Sequence, residues 1–302
     1  MGSACISVGN LSMGGRGKTP VVIHLARLLI DAGERPAVLS RGYGRRLVEP
    51  GVVVVSDGTH VVADLDRSGD EPLLIARSVP GAIVLVCEQR AIARTLAERA
   101  LGATVVVLDD GFQHRQVARD VDLVLVTPDD LRGRRMPFGT LREPVSALSR
   151  AHALVSPNGS AGAIASAFPK VPTFSLNRSL GAPTSIEAER PWTGGRGPVV
   201  AVAGIAEPAR FEASLKSAGW SISRLLTFGD HHRYGRRDLD RMAESVRETG
   251  AAGVVTTEKD AVRLRWMRPL PFACAVVPLE VSIEPSAAFR PWLFDRLREA
   301  RQ

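Results

Sequence analysis

Short apolar runs alternate, through most of the chain, with stretches whose apolar positions recur every three or four residues. The runs predict strands at Ala4–Val8, Pro36–Ser40, Val52–Ser56, Ala82–Val86, Thr104–Leu108 and Asp122–Val126. The periodic stretches predict helices at Lys18–Ala32, Glu71–Val79 and Gln89–Leu101. Near-continuous Val, Leu and Ile runs separated by helices read as a parallel sheet covered on both faces. From Ala153 the pattern loosens, and residues 157–197 carry many Pro, Gly and Ser, as a linker would. A second αβ series follows: strands at Val199–Ala203, Ile222–Phe228, Gly253–Thr256 and Ala273–Val277, with helices at Pro208–Ala218, Asp238–Thr249 and Pro285–Arg298. No internal repeat and no low-complexity segment is present.

The first strand leads into Ser12-Met13-Gly14-Gly15-Arg16-Gly17-Lys18-Thr19-Pro20, and the first helix follows. Strand, Gly-rich turn and helix form the setting of a phosphate-binding loop. Gly14, Gly15 and Gly17 allow backbone turns that a Cβ would block, so successive N–H groups can face one anion. The helix N-terminus adds partial positive charge. Residues Ser12 through Thr19 are therefore expected to cradle nucleotide phosphates, with Lys18 on the β- and γ-phosphates and the Thr19 hydroxyl on Mg²⁺. The usual pattern is GxxxxGK[ST], and Ser12 stands in place of its first Gly. The fold class expected is thus α/β: a P-loop NTPase-like parallel sheet covered by helices (1–156), a linker region (157–197) and a smaller αβ domain (198–302).

Ligands of open α/β sheets bind at the carboxyl ends of the parallel strands, so the residues there carry the chemistry. Asp109-Asp110-Gly111-Phe112-Gln113-His114 follows an apolar strand, the arrangement in which a strand-end carboxylate holds Mg²⁺. Arg41 opens a basic loop, Arg41 to Arg46, readable as a phosphate grip or as a solvated charge run. Asp70, in Gly69-Asp70-Glu71-Pro72, is readable as a helix N-cap or as a general base for a hydroxyl acceptor. Arg142 can stabilise a phosphoryl group in transfer and Glu143 can touch the metal, or the two form an ordinary loop ion pair. His231 and His232 follow a strand of the second series with no further His or Cys nearby, which argues against zinc. Thr256-Thr257-Glu258-Lys259-Asp260 reads as a strand end followed by a helix cap.

Composition narrows the partners. The 302 residues are 45% hydrophobic, enough for a sizeable core, and Lys plus Arg (39) exceed Asp plus Glu (32), a balance of +7. Most of the basic residues are Arg, which suits phosphate contacts and an anionic partner, although general surface charge accounts for part of the excess. Neither a helix-turn-helix pattern nor an aromatic RNA-binding signature accompanies the charge, so nucleic acid is not expected. Cys5, Cys87 and Cys274 lie far apart in apolar runs, which fits buried thiols in a reducing compartment. No apolar run approaches the ~20 residues of a membrane span, and a cytoplasmic chain follows, with contact to a membrane surface left open.

Taken together the motifs resemble one family closely, the tetraacyldisaccharide 4′-kinases of lipid A biosynthesis. The matching pieces are Val8-Gly9-Asn10 with the loop Gly14 to Pro20, Ser40-Arg41-Gly42-Tyr43-Gly44, Gly69 to Pro72, Asp109 to His114, Leu141-Arg142-Glu143-Pro144, Asp230-His231-His232-Arg233-Tyr234 and Thr256 to Asp260. The resemblance implies that MgATP donates its γ-phosphoryl to the 4′-hydroxyl of a tetraacyldisaccharide 1-phosphate, giving lipid IV-A. It implies action at the anionic inner face of the cytoplasmic membrane; a monomer is expected. Asp70 is then the base, oriented by His231 or His232, with Lys18 and Arg142 also catalytic. Thr19, Asp109, Asp110 and Glu143 serve Mg²⁺, and Asn10, Arg41, Arg90 and Gln113 contact the substrate. Two departures stand out. Family members usually begin with a hydrophobic N-terminal helix, whereas this sequence opens almost at its first strand. Gly204-Ile205-Ala206-Glu207-Pro208 replaces Gly-Ile-Gly-Asn-Pro, which loses a permissive glycine. A P-loop kinase for another phosphorylated sugar and a nucleotide-gated binding protein are the alternatives. The latter's deviant loop needs a Lys where Met13 stands.

Overall fold

The computed structural model describes residues 2–14, 17–114 and 116–302. It divides into two compact units, Met1–Asn177 with Val281–Gln302, and Arg178–Glu280.

The first unit is built on strands β1 (Ala4–Asn10), β2 (Pro36–Ser40), β3 (Val53–Asp57), β4 (Ile83–Val86), β5 (Val105–Asp109), β6 (Val121–Leu125), β7 (Ala153–Pro157) and β8 (Thr173–Leu180). Its helices are α1 (Lys18–Asp31), α2 (Leu65–Ser68), α3 (Asp70–Ser78), α4 (Arg90–Arg99), α5 (Pro128–Arg132) and α6 (Ala161–Ala167). The second unit holds β9 (Thr184–Ser185), β10 (Val199–Ala203), β11 (Ile222–Thr227), β12 (Val254–Thr257) and β13 (Cys274–Val277), with α7 (Pro208–Ser217), α8 (Arg236–Thr249) and α9 (Glu258–Leu264). The chain returns through β14 (Leu279–Glu284) and ends in α10 (Ser286–Glu299).

The large sheet has the order β14-β8-β7-β6-β1-β5-β2-β4-β3. β1 is central, buried along its whole length, and parallel to both β5 and β6. Its register sets Val8 beside Asp109 and Asn10 beside Leu125, so the ends of β1 and β5 lie side by side. Cys5, Leu39, Leu85, Val106 and Leu108 turn to one face, where Ala93 and Ala97 of α4 pack against them. β3 departs from the all-parallel expectation and runs antiparallel to β4. Residues 41–52 contain no helix to carry the chain back across the sheet, so the next strand starts from the edge where β2 ended.

Residues 157–197 are more ordered than a linker. They supply α6 and then β8, which pairs in parallel with β7. The C-terminal helix also lies outside the smaller unit in which the sequence placed it. Its buried face, Phe289, Leu293 and Leu297, recurs every four residues, and Phe289 meets Phe174 of β8 edge-on at 5.1 Å. Arg301 pairs with Glu34 at 2.8 Å in the same unit. Periodicity reveals an apolar face but not which sheet it will cover.

The second unit is a five-stranded sheet, β11-β10-β12-β13-β9, parallel except for β9. Alternate residues face opposite ways: Val200, Val202 and Val254 meet Leu239 and Met242 of α8, while Val199, Ala201 and Val255 meet Phe211 and Leu215 of α7. All three cysteines are free and buried. Burial pushes the Cys5 and Cys274 thiols up to about 12, and a thiol held protonated is a poor nucleophile. The native chain should therefore show no fast-reacting thiol toward a disulfide reagent at pH 8, and all three should react in denaturant; a rapid native thiol would contradict this packing.

Candidate active site

The turn after β1 is tied down on its upstream side. Asn10 Nδ2 donates to the Ser12 carbonyl at 2.8 Å, and Ser12 forms a β-bridge with Leu141. Met13 N donates to the Thr140 carbonyl at 2.8 Å, and Arg142 N to that of Leu11 at 2.7 Å. The Met13 N–H is thus engaged by residue 140, which corrects its expected place among the phosphate donors. Gly15 and Arg16 lie outside the described residues. Downstream, Gly17 is in the left-handed region as the N-cap of α1, with no side-chain cap and no acidic residue in the first turn. The first N–H groups of α1 and its partial positive charge therefore suit an anion.

Lys18 is the first residue of α1. Its Nζ lies 3.0 Å from Asn10 Oδ1 and 3.4 Å from Asp110 Oδ1. Asp110 follows β5 with φ +57°, and both of its oxygens accept from Arg142 Nη1 at 3.0 and 2.8 Å. Burial would raise the Asp110 carboxyl, but Lys18 and Arg142 outweigh it and hold the group below its ordinary value. Asp109, the last residue of β5, is raised instead, first by burial and then by the charge of Glu71. Ser40 Oγ, at the end of β2, is 3.4 Å from Asp109 Oδ2. Gly111 lets this strand-end loop sit on β1, since a Cβ there would come within 2.6 Å of Ser7 Oγ.

Several residues expected to contact substrate are internal braces. Asn10 is buried and orients Lys18. Arg90 is only 1% exposed, and its guanidinium donates to the carbonyls of Cys87 and Asp109 at 3.2 and 3.1 Å. Burial, and then Arg41, push it down to about 10. Gln113 Nε2 donates to the Asn10 carbonyl at 2.9 Å, while Arg41 is exposed. Glu143, expected near the metal, turns both oxygens to Arg150 at 2.7 Å. That Arg150, unremarked in the sequence, also stacks 3.8 Å above the Phe112 ring.

Asp70 is the first residue of α3 and not its N-cap. Gly69 holds the cap position at φ +81°, where a Cβ would meet the Tyr43 carbonyl at 2.7 Å. Asp70 is 4% exposed, and its Oδ1 accepts from Glu71 N at 3.0 Å. Since the charge of Glu71 is felt at Asp109, the start of α3 and the end of β5 are electrostatic neighbours.

His231 and His232 belong to the second unit. His232 Nε2 lies 3.0 Å from Asp238 Oδ2, with its ring stacked on Phe228. His231 has φ +59°, and its Nε2 lies 3.3 Å from Lys259 Nζ. Beneath them, the buried Asp260 accepts from Gly204 N at 3.1 Å, Tyr234 OH at 2.7 Å and Thr257 Oγ1 at 2.7 Å. Arg263 Nη1 donates to the carbonyls of Gly204 and His232 at 3.1 and 3.0 Å. Ala206 is absent from the positive-φ residues, so the missing glycine there imposes no strain. Tyr234→Phe should cost about 2 kcal/mol of stability, the range for a hydrogen bond to a charged group left unmade. Urea unfolding measures it, and a loss below ~0.5 kcal/mol would show that Asp260 needs no help from the phenol.

A buried central strand ending in a Gly-Lys-Thr loop, beside a strand that ends in two aspartates, defines a P-loop phosphotransferase. The family described as Tetraacyldisaccharide-1-P 4′-kinase (LpxK) matches residues 1–298, and the chain belongs to that family, which makes it a kinase. A tetraacyldisaccharide 4′-kinase of Syntrophus aciditrophicus is 38% identical, covering 97% of this chain and 84% of the relative. Another, from Rhodopseudomonas palustris, is 40% identical over 100% of this chain and 86% of its own length. A crystal structure described as the "apo" form of LpxK from Aquifex aeolicus in complex with ATP superposes with a TM-score of 0.78 at 30% identity, over 98% of this chain and 89% of that one.

Proposed function

We propose that this chain transfers the γ-phosphoryl of ATP to the 4′-hydroxyl of a tetraacyldisaccharide 1-phosphate, acting as a monomer on the cytoplasmic face of the membrane that holds the lipid. The observation that carries this reading is the convergence of Lys18, Asp109, Asp110 and Arg142 where β1 and β5 end side by side. Gly14, Gly17 and the first turn of α1 receive the phosphates, and Lys18 neutralises charge between the β- and γ-phosphates. Asp110 holds Lys18 and Arg142 toward the same point, and Arg142 steadies the group in flight.

Among the described residues no group of three or more His, Cys, Asp or Glu is arranged to hold a metal. The donors at the loop are the Thr19 hydroxyl and the Asp109 carboxylate, hard oxygens that suit Mg²⁺ when phosphate and water complete its shell. A buried carboxylate raised toward its neutral form is also one that a cation would return to the charged form. Held there by Thr19 and Asp109, Mg²⁺ would supply positive charge to offset that of the phosphates. Asp70 takes the proton from the acceptor hydroxyl.

Incubation with labelled ATP, Mg²⁺ and detergent-dispersed tetraacyldisaccharide 1-phosphate should give a bisphosphorylated lipid. Labelling of soluble phosphorylated sugars, with none of the lipid, would overturn this substrate assignment.

A further inference from the structure

From Leu131 to Arg142 the chain carries four arginines and no acidic residue. At its tip Phe138 is 84% exposed and Met136 53% exposed, flanked by exposed Arg132, Arg134 and Arg135. The tip is held in place by hydrogen bonds. Leu141 N donates to the Arg134 carbonyl at 3.0 Å, Met136 N to that of Leu141 at 2.9 Å, and Phe138 N to that of Arg135 at 3.0 Å. Leu141 is buried in the core of the first unit. A bonded turn anchored in this way presents its apolar side chains to water while its base packs normally. Exposed Leu47 and Val48 stand on the loop between β2 and β3, which leaves the same carboxyl edge of the sheet.

Large side chains held in water at one edge, beside exposed arginines, have the chemistry of a lipid-surface contact: apolar groups enter the acyl boundary and arginines meet headgroup phosphates. An acidic protein groove would answer the charge but would leave Phe138 and Met136 without a defined pocket. We propose that the turn at residues 132–140 is a membrane-docking element that inserts Phe138 and Met136 into an anionic phospholipid surface. The same turn is bonded to the phosphate loop through Thr140 and Leu141. Docking therefore sets the height of Lys18 and Arg142 above the bilayer, which matters if the acceptor is a lipid, so the inference rests on the function proposed above.

The buried cysteines make the test direct. Phe138→Cys carries a polarity-sensitive label, and Ala32→Cys, exposed at the opposite edge after α1, is the control. With phosphatidylglycerol–phosphatidylethanolamine vesicles, the label at 138 should brighten, shift to the blue and be quenched by brominated acyl chains. The label at 32 should not change, and phosphatidylcholine vesicles should leave both unaltered. Met136→Asp with Phe138→Asp should lower the vesicle partition at least ~10-fold, from the transfer of one large apolar side chain. Arg132→Gln, Arg134→Gln and Arg135→Gln should each lower it about fivefold at low salt and less at high salt. Turnover of acceptor in vesicles should fall with the partition, and turnover in detergent should stay within about twofold. A bound protein whose label at 138 remains in water, an unchanged partition for the aspartate variants, or no vesicle binding by the native chain would each overturn the proposal. The detergent assay separates the two readings: absence of lipid phosphorylation there removes the substrate assignment and leaves the labelling result to stand on its own.

Discussion

Lys18→Ala lowers turnover at least ~100-fold, with little change in folding. The magnitude is that of removing one preorganised electrostatic group from a developing charge, where the effect is concentrated in kcat. The structure shows the preorganisation: before any phosphate arrives, Asn10 Oδ1 holds the ammonium at 3.0 Å and Asp110 Oδ1 at 3.4 Å. Both partners are themselves fixed, Asn10 by its bond to the Ser12 carbonyl and Asp110 by Arg142. Little side-chain entropy is therefore lost when the lysine engages phosphate. Stability should barely change, because Lys18 sits at a helix start where a cation opposes the helix dipole, and Asp110 keeps Arg142 as partner. Lys18→Arg should recover only part of the activity, since a planar fork cannot occupy the point held by an ammonium. Single-turnover measurement with saturating ATP reads the chemical step. Near-native rates for Lys18→Ala would remove the phosphate-loop assignment.

How much of this site the sequence reveals depends on how local each signal is. β1, α1 and the paired aspartates announce themselves because a buried parallel strand, a Gly-rich turn and a strand-end acid are each written in a few consecutive residues. The engagement of Met13 by Thr140 is not, since the two positions are far apart in the chain and the bond is between backbone groups. Arg90 is misread for a related reason. The family resemblance sets it at the substrate, and only the fold reveals that the carbonyls of Cys87 and Asp109 claim it. Glu143 is another case: its partner Arg150 is seven residues on, reached through a 3₁₀ turn that periodicity does not predict. Gly69 and Asp70 differ from expectation by a single residue, because Gly and Asp both favour the cap position and only the Tyr43 carbonyl against Gly69 decides between them. The allegiance of α10 to the first sheet is likewise invisible without Phe174 and Glu34 as neighbours.

That one-residue difference sharpens the remaining test. If Asp70 capped α3 through its side chain, its loss would be felt in stability; Gly69 holds that place, and Asp70 Oδ1 accepts from the neighbouring Glu71 N. Asn presents the same Oδ1 acceptor. The dipole contribution of that first-turn charge is ~0.3–1 kcal/mol, and Glu71 still supplies a charge there. Asn cannot accept the proton of the acceptor hydroxyl. Asp70→Asn should thus fold with a nearly native melting temperature, bind ATP through the Gly14–Thr19 loop, and lose ~10²–10⁴-fold in turnover, the usual share of general-base catalysis. A well-folded Asp70→Asn protein with almost native turnover would leave the aspartate as a buried structural acid and move the base to Asp109 or Asp110.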